Sequence, residues 1–313
     1  MPHPLIPPAF HTLVAGRAPE PDIVGDDCLR LLPRLIDDAL DRWELTVDGA
    51  PRHGQCALVI PVSARGATLA HAPDGRAVLK LTWPHREAST EHLALRNWNG
   101  EGAVRLLAAD PAAYVLVLER LDADRDLTRV PILEACEVIG GLFRRLDRPA
   151  GPQFDALTTR ARRWLDHLRL GHSLVPRRLT EQASTTMEHL LDGTVDGRLV
   201  HEDLHDMNVL APLDPARGDW LAIDPKPVSG EWAYAVAPLV WNRADATAAA
   251  ANLRRHVRLR ADIVADCAGL DPDRVTRWTF VRLVLNALWA GRDGPAFDDV
   301  RARMIALAKA FAD

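Results

Sequence analysis

Three oxygen-bearing side chains in one stretch set the chemical question. In residues 198–225, RLVHEDLHDMNVLAPLDPARGDWLAIDP, Asp203 and Asn208 keep the spacing D-x-x-x-x-N, and the apolar run 220–223 ends on Asp224. An acid, an amide and a second acid, delivered by a loop and by a strand end, suit phosphoryl transfer from ATP. One carboxylate takes the proton of the attacking hydroxyl, while an amide oxygen and the other carboxylate hold magnesium against the phosphates. Asp203 is then the catalytic base, Asn208 and Asp224 are the metal ligands, and the cofactors are ATP and Mg2+.

The same letters carry a rival. His201-Glu202-Asp203-Leu204-His205 also satisfies H-E-x-x-H, the helix of zinc hydrolases, in which two histidines one turn apart share a face. Asp196-Gly197 before it and Ala-Pro-Leu-Asp-Pro at 211–215 speak for strand, loop and turn instead of a long helix. Those five letters leave the choice open, and the rest of the chain has to decide.

Phosphoryl transfer also needs a cation to seat the nucleotide. The chain is rich in arginine, and its only lysines are Lys80, Lys226 and Lys309. Lys80 sits inside the apolar run 77–81, AVLKL, which reads as a strand. It is either a lysine on a wet strand face or the strand lysine that pairs the α/β-phosphates, which needs an acid from a following helix. Residues 87–98, EASTEHLALRNW, have a helical pattern. Leu95 shares the face of Glu91 and Trp98 lies close to it, so Glu91 rather than Glu87 is expected to turn toward the sheet. A zinc hydrolase has no use for Lys80 and Glu91, which favours the kinase chemistry. The segment 48–55, DGAPRHGQ, could fold over phosphates through backbone N–H groups around Gly54, or be a plain hairpin; G-x-G-x-x-G is absent.

The elements that must position these groups follow in order. The Pro-rich residues 1–25 read as a loosely held lead-in, and 28–42 as a helix behind Asp26-Asp27. Strands are expected at 43–47, 57–62, 77–81, 103–108 and 114–119, the third behind the turn signal Asp74-Gly75. The last ends at Glu119-Arg120-Leu121, where the chain could pass between two lobes and offer backbone to adenine. Beyond 121 the pattern is helical, at 132–146 behind Pro131, then 154–170, 179–191, 235–241, 245–268, 271–290 and 296–312. The expected fold class is α+β, a two-lobed protein-kinase-like fold with the acids in a strand–loop insertion between helices. An N-terminal nucleotide-binding lobe spans 1–120, with a helical lead-in over 1–42, and a C-terminal catalytic and substrate-binding lobe spans 121–313.

Composition bounds the class. A chain of 313 residues, 48% hydrophobic and 26% charged, suits a soluble globular protein with room for two cores. Its 43 acidic and 38 basic residues give a formal net charge of −5. That leaves no basic excess for nucleic acid and no Lys/Arg run for a membrane surface. Cys28, Cys56, Cys136 and Cys267 are far apart and in no metal spacing, so a reduced, cytoplasmic protein is expected. The N-terminus lacks a basic stretch followed by an apolar one, and no apolar run approaches the roughly 18 residues that span a bilayer.

With these residues in place, the chain resembles the aminoglycoside/hydroxyurea phosphotransferase family, most closely its streptomycin phosphotransferases. The likeness covers roughly 43–289. It rests on RWEL at 42–45, LKL at 79–81, RNW at 96–98 leading to GAVRLL at 102–107, and LERLD at 118–122. It rests further on HEDLHDMNVLA at 201–211, WLAIDPKP at 220–227 and NALW at 286–289. The resemblance implies a kinase-like fold, ATP with magnesium, and phosphorylation of a hydroxyl on a small cationic antibiotic. Hydroxyurea or another small metabolite is the alternative acceptor. It makes Asp203 the base, Asn208 and Asp224 the metal ligands, Lys80 and Glu91 the phosphate-positioning pair, and the backbone from Glu119 to Leu121 the adenine contact.

The chain also departs from the family. Where relatives carry Gly-Asp-Pro-x-x-Asp, residues 230–235 read Gly-Glu-Trp-Ala-Tyr-Ala. The final acid, which looks like a buttress of the catalytic loop in relatives, is Ala235 here. That keeps a binding-only pseudokinase in view, although Lys80, Asp203, Asn208 and Asp224 weigh against it. A cationic acceptor favours carboxylates and aromatic faces, which makes Glu202, Asp206, Glu231 and Trp232 substrate candidates, with Trp241 and Trp289 read first as core. His201 is read as a structural histidine bonding the loop backbone, and Lys226 either as a residue of a surface turn, the preferred reading, or as a cation that approaches the γ-phosphate.

Overall fold

The computed structural model describes residues 3–18, 24–64, 72, 75–171 and 173–312. Two compact units emerge, one made of Met1–Ala123 with Ala211–Leu221, the other of Asp124–Leu210 with Ala222–Asp313. The chain therefore leaves the second unit once, between Asn208 and Asp224, and returns.

The first unit begins with α1 (Pro8–Val14) and α2 (Gly25–Arg42). Pro8 is the first residue of α1, where its missing N–H costs no hydrogen bond. Phe10 and Val14, one turn apart, join Leu32 and Ile36 of α2 and Leu58, Ile60 and Val62 in one buried cluster. The described part of the Pro-rich lead-in is thus seated in the core, contrary to the loosely held segment expected. The helix α2 continues through Pro33.

The strands β1 (Leu45–Val47), β2 (Arg52–His53), β3 (Ala57–Ala64) and β4 (Arg76–Thr82) come next, and Asp74 of the expected turn lies outside the described residues. A short 3-10 turn over Arg86–Thr90 leads into α3 (Glu91–Trp98), then β5 (Leu106–Asp110), β6 (Val115–Glu119) and β7 (Leu121–Asp126). The sheet order is β1-β3-β4-β6-β5, with β2 paired to β3. In the centre, β4 is antiparallel to both neighbours, and Lys80 sits opposite Val59 on one side and Leu116 on the other.

The second unit is mainly helical. It holds α4 (Ile132–Leu146), β8 (Arg148–Pro149), α5 (Leu157–Leu170), α6 (Arg177–Leu191) and β9 (Arg198–His201). The chain then runs through β10 (Val209–Pro212) and β11 (Leu221–Ala222) to β12 (Pro227–Gly230). A 3-10 turn over Trp232–Val236 precedes α7 (Ala237–Trp241), α8 (Ala244–Ala248), α9 (Leu253–Ala268), α10 (Pro272–Arg292) and α11 (Asp298–Phe311). The helix expected over 245–268 is two helices, because Asn252 restarts it by accepting the Arg255 N–H at 2.9 Å. Asp271 caps α10 in the same way, and most of that helix's apolar side chains are buried.

The small sheet β12-β9-β8 has the most consequence for function. Antiparallel pairing sets Pro227 opposite His201 and Gly230 opposite Arg198. Residues just before Pro227 are thereby brought beside those just after His201, and the Glu202 N–H donates to the Lys226 carbonyl at 3.1 Å.

Candidate active site

The loop after β9 is organised by His201. Its Nε2 lies 3.0 Å from the Ile223 carbonyl, and its Nδ1 accepts the Asp203 N–H at 3.3 Å. A donating Nε2 and an accepting Nδ1 define a neutral imidazole. Burial pushes its pKa down to about 4, although the Ile223 carbonyl and the carboxylates of Asp203 and Asp224 pull the other way. With His201 ending a strand and His205 opening a 3-10 turn over Asp206–Asn208, the two do not share a helix. Among the described residues no three His, Cys, Asp or Glu side chains gather as a metal site. The zinc-hydrolase alternative is set aside on both counts.

Asp203 does not stand alone. Its Oδ2 lies 2.9 Å from Lys226 Nζ, and its Oδ1 lies 3.9 Å from His205 Nε2. Burial alone would raise its pKa, but Lys226 and His205 outweigh burial and hold the carboxyl below its ordinary value. Lys226, read first as a surface-turn residue and second as a cation near the γ-phosphate, is the ion-pair partner of Asp203. The register of β12 against β9 carries it there, which single-strand patterns do not reveal.

Asn208 spends its amide nitrogen on the loop, donating to the Asp203 carbonyl at 2.9 Å and approaching His205 Nε2 at 3.3 Å. Its Oδ1 is then the atom that could reach a cation. The Ile223 N–H donates to the Asn208 carbonyl at 2.9 Å, tying the approach to Asp224 to the same loop. Asp224 has left-handed backbone, φ 53°, and is exposed. Such a conformation is uncommon for a residue with a Cβ, though aspartate tolerates it better than most. Both Asp203 and Asp224 act electrostatically on His201 and on His205, so the two carboxylates lie near the same imidazoles. An amide oxygen and a carboxylate are the hard oxygen donors that magnesium takes.

In the first unit, Lys80 Nζ lies 2.6 Å from Glu91 Oε1, and these residues are 5% and 3% exposed. Glu91 is the first residue of α3, while Glu87 belongs to the preceding 3-10 turn and is half-buried. Gly54 is exposed in the tight connection between β2 and β3, and its N–H donates to the Ala57 carbonyl at 2.9 Å. That amide is engaged in its own hairpin. Glu119 has a buried side chain gripped from two directions. Arg217 donates to its two oxygens at 2.9 and 3.1 Å, and the Arg105 N–H donates at 3.0 Å. Its own N–H donates to the Arg105 carbonyl at 2.9 Å. Arg217 also holds the Gly100 and Ala103 carbonyls at 2.7 and 3.3 Å, and nothing in the sequence pattern singled it out.

The four substrate candidates all have protein partners. Glu202 is 4% exposed and accepts from Arg160 Nη1 and Tyr234 OH, each at 2.6 Å. Asp206 is buried, with Arg243 at 3.4 Å. Glu231 is clamped by Arg274, with Nε at 2.7 Å, and by the Trp278 indole N–H. Trp232 is buried, donates to Asp147 Oδ1 at 3.0 Å and packs on Phe143 with ring centroids 4.6 Å apart. A sequence shows the acid but not its arginine: Glu202 meets Arg160 from α5, and Glu231 meets Arg274 from α10. Trp289 packs edge-on to Trp164 with centroids 6.0 Å apart.

Comparison with known proteins agrees with the fold. The profile of the aminoglycoside/hydroxyurea antibiotic resistance kinases matches residues 42–294. Streptomycin 6-kinase of Streptomyces glaucescens is 40% identical over 291 residues, covering 91% of this chain and 91% of that protein. Hydroxyurea phosphotransferase of Kitasatospora aureofaciens is 35% identical over 285 residues, covering 86% of this chain and 76% of the relative. Among solved structures, a choline/ethanolamine kinase family protein from Mesorhizobium loti superposes with a TM-score of 0.59 at 15% identity, over 88% of this chain and 94% of that one. At that identity the likeness speaks for the two-lobed kinase-like fold alone.

Proposed function

The chain belongs to the aminoglycoside/hydroxyurea antibiotic resistance kinase family, and from that premise we propose that it transfers the γ-phosphoryl group of ATP to a hydroxyl of a streptomycin-type aminoglycoside. It is a phosphotransferase of small molecules. The observation that carries the finer proposal is the contact of Lys226 with Asp203, on the loop that also presents Asn208.

In the reaction, the O–H bond of the acceptor and the bond from the γ-phosphorus to its bridging oxygen break. A new P–O bond forms, and the products are a phosphate ester, ADP and a proton. Asp203 orients the hydroxyl and accepts its proton, which requires the carboxylate to stay ionised; Lys226 favours that state. Asn208 Oδ1 and Asp224 would hold magnesium, which would supply charge neutralisation. Lys226, once released from Asp203, is a cation available to the transferred group. Lys80, held by Glu91, seats the nucleotide, and the backbone from Glu119 to Leu121 meets adenine. The free cysteines and the use of ATP support a cytoplasmic setting. Among the described residues, no helix is long and apolar enough to cross a membrane.

The test is ADP release from purified protein with ATP and magnesium, offered streptomycin, hydroxyurea or simple sugars, with product mass measured. Streptomycin gaining one phosphoryl group is the expected result. Turnover of hydroxyurea alone would move the acceptor to the second reading, which the 35% identical hydroxyurea phosphotransferase favours. No turnover with any acceptor would overturn the phosphotransfer proposal.

A further inference from the structure

We propose that Arg160, Glu202, Tyr234 and Arg282 form a brace, buried at Glu202 and Tyr234, that fixes the orientation of Asp203, so that Glu202 is a positioning residue and not a substrate contact. The inference deepens the phosphotransfer reading and rests on it for its kinetic arm.

The brace centres on the peptide group between residues 202 and 203. Its oxygen, the Glu202 carbonyl, accepts from Arg282 Nη1 at 3.0 Å, and its N–H donates to His201 Nδ1 at 3.3 Å. Both ends of that peptide plane are therefore tied. Turning the plane would swing the Asp203 side chain, and both hydrogen bonds oppose the turn. Arg282 is itself fixed. Its Nη1 also holds the Tyr234 carbonyl at 3.2 Å, and its guanidinium lies 4.2 Å from the Tyr234 ring centroid and 5.0 Å from that of Trp241.

The Glu202 side chain completes the frame from below. Its two oxygens take the Arg160 guanidinium and the Tyr234 hydroxyl, and such charge-assisted bonds are the short, strong kind. Burial raises the Tyr234 pKa well above its ordinary value, so the phenol stays protonated and keeps donating. Tyr234 is held by Trp164, stacked at 6.0 Å, and by Trp278, edge-on at 5.4 Å. The network thus runs from α5 through Glu202 and Tyr234 to α10, and each member touches the loop or a residue that does. Ala235, where an acid was expected to support this loop, is fully buried and carries no polar side-chain atom. Here a cation on a carbonyl provides the support.

The test uses the full chain and three variants: Tyr234→Phe, Arg282→Met and Arg282→Lys. Tyr234→Phe should lower kcat by about 10- to 100-fold, the scale of a small misplacement of a catalytic group. KM for ATP and for the aminoglycoside should change by less than about threefold, and calorimetric Mg-ATP affinity should hold. Arg282→Met should lose more, and Arg282→Lys should recover part of it. Independently of turnover, amide hydrogen exchange in the peptide covering residues 201–206 should quicken in Tyr234→Phe while protection elsewhere holds. A raised acceptor KM with kcat intact would return Glu202 to the substrate site and overturn the brace. So would unchanged kcat together with unchanged exchange. If wild-type protein phosphorylates no acceptor, the proposed function fails, and the exchange arm alone decides the brace. Should Arg282→Met not fold, Tyr234→Phe carries the test.

Discussion

Asp203 carries two opposed influences, burial that favours its neutral form and Lys226 that favours its charged one, and the lysine wins. Replacing Asp203 by Ala should lower kcat by about 10²–10⁴, the range of a general base, with ATP affinity little changed; steady-state kinetics beside calorimetry check this. His201 adds a pH dependence of known sign. Its folded pKa is about 4 against 6.5 when free, so the unfolded chain takes up the proton first. Stability should fall as pH drops below about 6.5, by about 2 kcal/mol at pH 5 from this residue. Urea unfolding at pH 7 and pH 5 should show a flatter response in His201→Gln than in wild type. The role of His201 was legible because a histidine two residues before an acid can reach that residue's own N–H. Lys226 and Glu202 were not legible. The lysine meets Asp203 only through the register of two strands, and the glutamate's guanidinium partner comes from a helix far back in the chain.

Between elements, the buried ion pair of β4 with α3 is the most exposed to mutation. Removing one partner of a buried pair costs about 3–5 kcal/mol. Glu91→Ala should therefore lower Tm sharply and raise KM for ATP. The double variant with Lys80→Met should regain part of the stability but none of the nucleotide affinity; thermal melts of Glu91→Ala, Lys80→Met and the double variant check this. Arg260 is a second case. It is fully buried in α9 and donates to the Leu239 and Asn242 carbonyls at the end of α7 and to Thr247 Oγ1. Arg260→Leu should destabilise by about 1–3 kcal/mol through the carbonyls it strands, measured by urea unfolding. Strands and long helices were readable from apolar period and caps. The α8–α9 break and the α1 helix were not, because one depends on a single Asn cap and the other on core contacts that Pro-rich composition conceals.

For the molecule as a whole, ligand linkage gives the broadest check. Saturating Mg-ATP should raise Tm, by an amount equivalent to about 2.7 kcal/mol at a hundredfold excess over Kd. EDTA should remove most of that gain, and metal analysis should find no stoichiometric zinc; differential scanning fluorimetry and mass spectrometry suffice. The segment Ala211–Leu221 has a different kind of consequence. It belongs with the first 123 residues, and Arg217 within it neutralises the buried Glu119. A gene cut at codon 123 would separate that acid from its cation, so neither half is a self-sufficient expression unit. In laboratory recombination among relatives, chimaeras that inherit this ribbon together with its own N-terminal parent should be the ones recovered in soluble form.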